Sequence, residues 1–445
     1  MSTTAATTKS GLVLSRSPKL RLLTIFILYV GQGVPIGLFW FAIPAWMAAN
    51  GADVVDVGYV LGLTTLPWTL KFVNGFIMDR YAFLAMGRRR PWIAGSQLVM
   101  ILLLIVAALI QPDVGDVLLL GVIGFCVNMA TTFQDVAVDG LAVDIMEEQE
   151  QAQAGGMMFG GQTIGMALAT SLTGMAIARI GPSAAYLLAA MFIGLITIFI
   201  LTVRERSGEK SLPWTAGDSH PDNLEIYLGE WWPILRNTLK SLFKRLSILW
   251  FPVSIAGGLH YGILTGATPL IGTGEVGWDE EQVTSLVGTA QLIAGLAGLT
   301  IGGWGGKWLG AKKSTILVFL AFLVLSTWMW LNVDSWGLPT VFIGFVYAWT
   351  ILDTLLRVVM IPVSMRLCDP SVAATQFAIY MAISNFGITI GSWLLALSAG
   401  FGGLRSTFLI VLAVHIIATV ILVVVKFPRS EKMRAKLAEM QARPA

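Results

Sequence analysis

Twelve apolar runs, each close to the roughly 20 residues that a helix needs to cross a hydrocarbon core about 30 Å thick, restrict this chain to folding in lipid. They fall near residues 22–48, 57–79, 91–111, 117–143, 155–179, 183–203, 247–272, 282–306, 314–333, 338–365, 372–399 and 406–426. With 12% of residues charged and 56% hydrophobic, there is too little polar surface to cover a water-soluble body of this length. Inside a bilayer the backbone must satisfy its own hydrogen bonds, so spans of this length are predicted to be α-helices. The expected fold class is an all-α membrane protein of twelve transmembrane helices.

The basic residues orient it. Of 29 Lys and Arg, 25 fall on one side: at the N-terminus (Lys9, Arg16, Lys19, Arg21), between spans 2 and 3 (Arg80, Arg88, Arg89, Arg90), in seven positions of the 6/7 connection, at Lys307, Lys312, Lys313 and Arg366, and in the tail. The other side holds Arg179 and Arg405, with acids at Asp53, Asp56, Asp113, Asp116, Glu275, Asp279, Glu280 and Glu281. The positive-inside rule makes both termini cytoplasmic, in a cytoplasmic (inner) membrane. The first run is too long for a cleaved signal and reads as a permanent helix. Because topology accounts for the basic residues, the net charge of +3 gives no reason to expect a nucleic-acid partner. Cys126 and Cys368 form no CxxC or Cys/His cluster, so neither a disulfide framework nor a metal site is expected.

The segment from Arg204 to Arg245 divides the spans six and six. The expected units are a cytoplasmic N-terminus (1–21), a first half (22–203), a linker (204–246), a second half (247–426) and a cytoplasmic tail (427–445). Within the linker, Leu224, Leu228, Trp231, Leu235, Leu239, Leu242 and Leu246 recur at helical spacing beside a basic stripe of Arg236, Lys240 and Lys244. That pattern predicts a helix lying in the cytoplasmic interface; a partly helical solvated linker is the alternative. A weak repeat supports duplication: Gly75-x3-Asp79-Arg80 then Gly87 and Arg88 to Arg90 after span 2, and Gly302-x3-Gly306-Lys307 then Gly310, Lys312 and Lys313 after span 8.

Charges within spans are confined to Lys71 in span 2, Asp135 and Asp139 in span 4, and Asp353 and Arg357 in span 10. A charge near a helix centre is disfavoured by roughly 2.5–3.5 kcal/mol, so these five need partners or a wet cavity. Lys71, Asp135 and Arg357 each precede an interfacial charge (Arg80, Asp144, Arg366) by nine residues, which puts all three about 13 Å inside the cytoplasmic boundary. A Lys71–Asp135 ion pair is therefore predicted, mirrored by Asp353 and Arg357 four apart on one helical face. Such pairs are either static struts or sites where a carboxylate exchanges protons, with Asp135 and Asp353 the leading carboxylates and Asp139 nearer the interface and open to hydration.

Candidate cavity residues are Gln32, Asn74, Asn128, Gln134, Gln162, Gln291, Asn385 and the His260–Tyr261 pair on a glycine-rich span, with Phe39, Trp40, Trp68 and Trp349 able to stack on a ring. A lone membrane histidine such as His260 is more often a hydrogen-bonded packing residue than a proton carrier. Small-residue pairs such as Gly156/Gly160, Gly161/Gly165, Gly298/Gly302 and Gly387/Gly391 allow close helix approach, and Pro35, Pro67 and Pro362 interrupt helices. The nearest string to a phosphate-binding loop, around Gly305, Gly306 and Lys307, lacks both the first glycine and the hydroxyl residue, which disfavours an ATP-driven pump. No HExxH or nucleophile constellation supports an intramembrane enzyme, and no cofactor is expected.

Twelve spans in two halves with the 2/3-loop pattern resemble the major facilitator superfamily. Six residues between Arg80 and Gly87 resemble the branch holding AmpG-type muropeptide permeases, acetyl-CoA transporters and siderophore permeases. So do the stretches Gln32–Gly37, Leu66–Phe72, Gln134–Gly140 and Ala374–Ala378. The resemblance implies alternating access around a central cavity. It also implies a cytoplasmic gate built from Gly75, Asp79, Arg80, Gly87, Arg88 and Arg89. The expectation is a monomeric, proton-coupled symporter importing a muropeptide-like sugar-peptide; a siderophore, CoA ester or drug-like molecule is the alternative cargo.

Overall fold

The computed structural model describes residues 12–427 except 51, 53, 148, 228, 279 and 303–307; Lys9, Gly306, Lys307 and the tail from 428 lie outside the described residues. The first half holds α1 (Pro18–Gly37), α2 (Val54–Leu70), α3 (Phe72–Arg80), α4 (Arg90–Ile110), α5 (Val117–Ile145), α6 (Gln151–Arg179) and α7 (Pro182–Thr202). Two linker helices follow, α8 (Pro221–Ile226) and α9 (Trp231–Leu242). The second half holds α10 (Arg245–Gly274), α11 (Glu280–Ala297), α12 (Ala311–Leu331), α13 (Pro339–Leu367), α14 (Ala373–Leu397) and α15 (Gly403–Val424). Among the described residues, ten helical stretches are long and apolar enough to cross a membrane. The other two spans are α6, rich in glycine, and the second, which is broken at Lys71 into α2 and α3.

That break differs from the continuous span expected at 57–79. Pro67 removes one ladder donor a turn upstream, and the chain tightens at Lys71, whose carbonyl accepts from the Asn74 N–H at 3.1 Å. Five-residue π-helical turns interrupt span 1 (Leu38–Ala42) and span 8 (Gly298–Gly302).

The two halves use the same pairings. In the first, α1 packs on α6, α2 on α5 and α4 on α7; in the second, α10 packs on α14, α11 on α13 and α12 on α15. These are spans 1–5, 2–4 and 3–6 of each half in turn, as duplicated six-helix units require. Lipid gives helices no hydrophobic reason to associate, so close packing of small residues has to hold them. A Cβ on Gly165 would stand 2.2 Å from the Val30 carbonyl oxygen between α1 and α6, and one on Gly391 2.1 Å from that of Leu259 between α10 and α14. Across the halves α6 meets α11 and α13, while α14 meets α3 and α5.

The linker begins with a two-residue parallel pairing, β1 (Leu12–Val13) on β2 (Val203–Arg204). The continuous amphipathic pattern over 224–246 resolves into separate elements, because Leu224 lies on α8 and Leu246 on α10. On α9 the buried residues are Ile234, Thr238 and Ser241, whereas Trp231, Trp232, Leu235 and Leu239 are exposed. The linker's Glu209 is buried, accepting from Arg206 N–H at 2.9 Å and Asn223 Nδ2 at 3.0 Å. Burial, with the Glu205 charge adding to it, pushes this carboxyl from 4.5 up to about 7. A raised acid pKa favours the protonated form in the docked linker. Its stabilising contribution is therefore present below the ordinary value and is lost as pH rises through about 7. Proteolysis at Arg206 and Lys210, measured relative to a Glu209→Gln protein, is expected to accelerate between about pH 6 and pH 8. An unchanged ratio would remove Glu209 from that role.

Candidate functional site

In the first half α5 carries Asp135 and Asp139 four apart, both aimed inward at α1 and the break after α2. Lys71 Nζ donates to Asp135 Oδ2 at 2.8 Å, the pairing expected from matched depth. Gln32 Nε2 donates to the other oxygen of Asp135 at 2.6 Å. Asp139, nearer the interface and open to hydration on its depth, is 1% exposed, and its carboxylate accepts from the Tyr29 hydroxyl. The reason is that α1 packs directly over this face of α5 and excludes water there. Among the described residues, one cation, Lys71, thus faces two buried acids, Asp135 and Asp139.

Four of the expected cavity amides are committed to bonds within this half. Besides Gln32, Asn74 donates to Thr132 at 3.0 Å, Asn128 accepts from Trp68 Nε1 at 3.0 Å, and Gln134 donates to the Leu28 carbonyl at 3.0 Å. They brace helices. Gln162, Gln291 and Asn385 are half-buried on α6, α11 and α14.

In the second half Arg357 Nε donates to both oxygens of Asp353, at 3.1 and 2.9 Å. The Arg357 guanidinium lies 4.6 Å from the Tyr261 ring centroid and 5.9 Å from that of Phe159, which belongs to the first half. Tyr261 packs edge-on to Trp349 at 6.1 Å. Arg357 Nη2 and Trp349 Nε1 are buried donors with no hydrogen-bond partner among the described residues. His260 takes the hydrogen-bonded packing position, the commoner of its two readings, and not the cavity wall. It is fully buried, with Nε2 3.1 Å from Asp353 Oδ1 and Nδ1 3.1 Å from the Ala256 carbonyl. Close packing at Gly258, whose Cβ position is 1.8 Å from the Ser384 oxygen, draws α10 against α14 and encloses the ring.

The end of the bundle that carries the 2/3 loop is shut by a charge network across the halves. Asp79 Oδ1 meets Arg88 at 3.2 Å and Arg89 at 2.9 Å, and Asp144 meets the same two arginines at 3.4 and 2.9 Å. Asp79 Oδ2 accepts from Thr375 N–H at 3.1 Å and its hydroxyl at 2.7 Å, at the start of α14. Negative charge is favoured at a helix N-terminus. Arg88 also donates to the Pro370 and Ser371 carbonyls, each at 3.0 Å. Gly75 lets α3 approach this point, since a Cβ there would sit 2.6 Å from Thr375 Cα.

Arg80 stands apart from the network. Its carbonyl accepts from Tyr227 at 2.7 Å and its guanidinium lies 4.9 Å from the Tyr81 ring, so Arg88 and Arg89 are the arginines of the latch. The chain reverses at Gly87 (φ +105°), a left-handed geometry suited to glycine, and that turn delivers both arginines to Asp79. It also points the N–H groups of Arg88, Arg89 and Arg90 at Glu205, at 2.9, 2.8 and 2.5 Å. Sequence reasoning missed Glu205 and Tyr29, took Asp144 only as a depth marker, and took Arg21, which pairs with Glu150 at 2.7 Å and Glu147 at 2.9 Å, only as a topology charge. Only the presence of acids beside basic loops hinted at them.

The profile of the Major Facilitator Superfamily matches residues 22–376 and 274–445. The chain belongs to that superfamily. It is therefore a multi-pass membrane transporter built on twelve helices. It is 26% identical over 385 residues to the putative transporter AmpG 4 of Rickettsia conorii, covering 82% of this chain and 86% of the relative. Against the anhydromuropeptide permease of Escherichia coli the identity is 24%, covering 82% and 71%. Against the folate-biopterin transporter of Synechocystis it is 23%, covering 84% and 73%. The crystal structure of the human organic anion transporter MFSD10 superposes with a TM-score of 0.62 at 13% identity, over 92% of this chain and 99% of that one. This last likeness concerns the fold.

Proposed function

We propose that this transporter is a proton-coupled symporter of the inner membrane, with both termini cytoplasmic, acting as a monomer to import a muropeptide-like sugar-peptide. The observation that carries the coupling is the charge count in the first half. Lys71 neutralises Asp135, and Asp139 is left against a hydroxyl with no cation of its own. A second buried carboxylate beside one ion pair is costly when ionised, so it holds a proton until water reaches it. Alternating access supplies that water. With Asp79, Arg88 and Arg89 latched to the start of α14, the cytoplasmic route is closed and loading comes from the opposite side.

The cargo reading rests on the AmpG-type relatives and on the unpartnered donors Arg357 Nη2 and Trp349 Nε1 beside the Tyr261 ring. Donors left over among aromatic rings suit a solute rich in carbonyl, hydroxyl or carboxylate oxygens that also offers a flat face. The folate-biopterin relative favours a second reading, a ring-bearing carboxylate, on the same donors. Thermal-shift measurements on the detergent-solubilised protein against an anhydromuropeptide, a folate, a CoA ester and a ferric siderophore separate these readings. Stabilisation by the anhydromuropeptide, lost in Arg357→Gln, is expected. Stabilisation by another of the four alone would reassign the cargo.

A further inference from the structure

His415 on α15 has no part in the proposal above, yet it is fully buried, and its Nε2 lies 3.3 Å from His260 Nδ1. Its other nitrogen, Nδ1, is buried with no hydrogen-bond partner among the described residues. Both imidazoles are enclosed by Phe319 and Phe322 of α12, with Phe322 at 4.3 Å from the His260 ring and both phenylalanines within 5.0 Å of the His415 ring. Asp353 and Arg357 of α13 are the charged groups facing the pair, and Tyr261 of α10 stands against Arg357.

We infer that His415 and His260 form a two-imidazole relay that takes up one proton in the second half, a site separate from Asp139. Donor and acceptor matching makes the case. Asp353 is ionised by its bidentate contact with Arg357, so His260 Nε2, facing it, carries a hydrogen in every state. His260 Nδ1 faces two atoms of different character. The Ala256 carbonyl only accepts, whereas His415 Nε2 accepts or donates according to its tautomer.

Without the extra proton, His415 Nε2–H donates to a bare His260 Nδ1. When a proton arrives at His415 Nδ1, the Nε2 hydrogen passes to His260 Nδ1, and His260 becomes an imidazolium paired with Asp353. One N–H bond forms on His415, one breaks there, and one forms on His260, so the balance is a single added proton. No heavy atom has to move. The unpartnered Nδ1 is the atom through which the relay must be charged. The site exists independently of the transport reading; only its use as a second coupled proton rests on that reading.

The test is nitrogen NMR of the full chain in lipid nanodiscs with labelled histidine, where half-buried His220 of the linker serves as an internal reference. His260 and His415 signals are expected to change together as one event between about pH 5 and pH 8. In His415→Phe, which keeps an aromatic ring among phenylalanines, the His260 midpoint is expected to move by roughly one pH unit or more, or its response to vanish. Imidazoles that hold one neutral tautomer across the range, or a His260 response identical in His415→Phe, would overturn the relay. A titrating pair in a carrier whose uptake ignores the proton gradient would instead sink the coupling proposal and leave the site standing.

Discussion

Asp139→Asn is expected to abolish concentrative uptake while leaving solute exchange across the membrane intact. Asparagine has nearly the shape of the protonated acid and still accepts from Tyr29, so the first half keeps its packing and the Lys71–Asp135 pair keeps its geometry. What disappears is the ability to release a proton. One unit of pH gradient supplies about 1.4 kcal/mol per proton, tenfold in solute ratio, and this variant forfeits it. Reconstituted protein should therefore show counterflow near the wild-type rate and no accumulation. Accumulation equal to wild type would transfer the coupling role to another group. Asp135→Asn should behave differently, because it strands Lys71 in the interior, where breaking a buried pair costs roughly 3–5 kcal/mol; its expected phenotype is loss of folded protein.

The second large effect concerns the latch. Asp79→Asn removes the charge that Arg88 and Arg89 share and weakens the contact with the start of α14, leaving two buried arginines to Asp144. Separation of the halves at the latch end then becomes easier. Cys368 reports it, since it sits just after α13 and packs against both the cluster around Met78 and Phe377 and the core of the second half. With the latch shut, burial pushes its thiol well above the ordinary range, and the carboxylates of Asp139, Asp144, Asp369 and Asp79 add to this. Opening admits water, and the substitution deletes one of those charges, so the thiolate fraction rises. In a Cys126→Ser background, maleimide labelling of Cys368 should accelerate about tenfold or more, given the roughly 3–5 kcal/mol attached to a broken buried pair. An unchanged rate would mean that the latch does not hold this end closed.

The span count, the six-and-six division and the resemblance to the superfamily were legible because each is written in long-range composition and in contiguous motifs. The Lys71–Asp135 contact was legible for a narrower reason: isolated charges in apolar helices have to meet, and their offsets from Arg80 and Asp144 fix a common depth. Asp353 and Arg357 follow from helical spacing alone. What stayed hidden was rotation about helix axes. In a lipid-embedded bundle the outward and inward faces are both apolar, so periodicity does not say which way Gln32, Asn128 or His260 points. His260 lies 93 residues from Asp353 and 155 from His415 in sequence; the packing of α10 against α13 and α15 joins them.

The latch shows the same limit at the surface. Asp79-Arg80 reads as a neighbouring pair, yet the left-handed turn at Gly87 brings Arg88 and Arg89 to the acid instead. Glu205, placed in what reads as linker, then closes over the turn.

The central claim is that buried charge in two packed halves serves movement of a solute and a proton together. Its most direct test is uptake of the thermal-shift ligand into proteoliposomes carrying the full chain, with acid imposed on the side opposite the latch. The account predicts accumulation above the external concentration that a protonophore collapses to equality. Uptake that only equilibrates, at a rate indifferent to the pH difference, would contradict it.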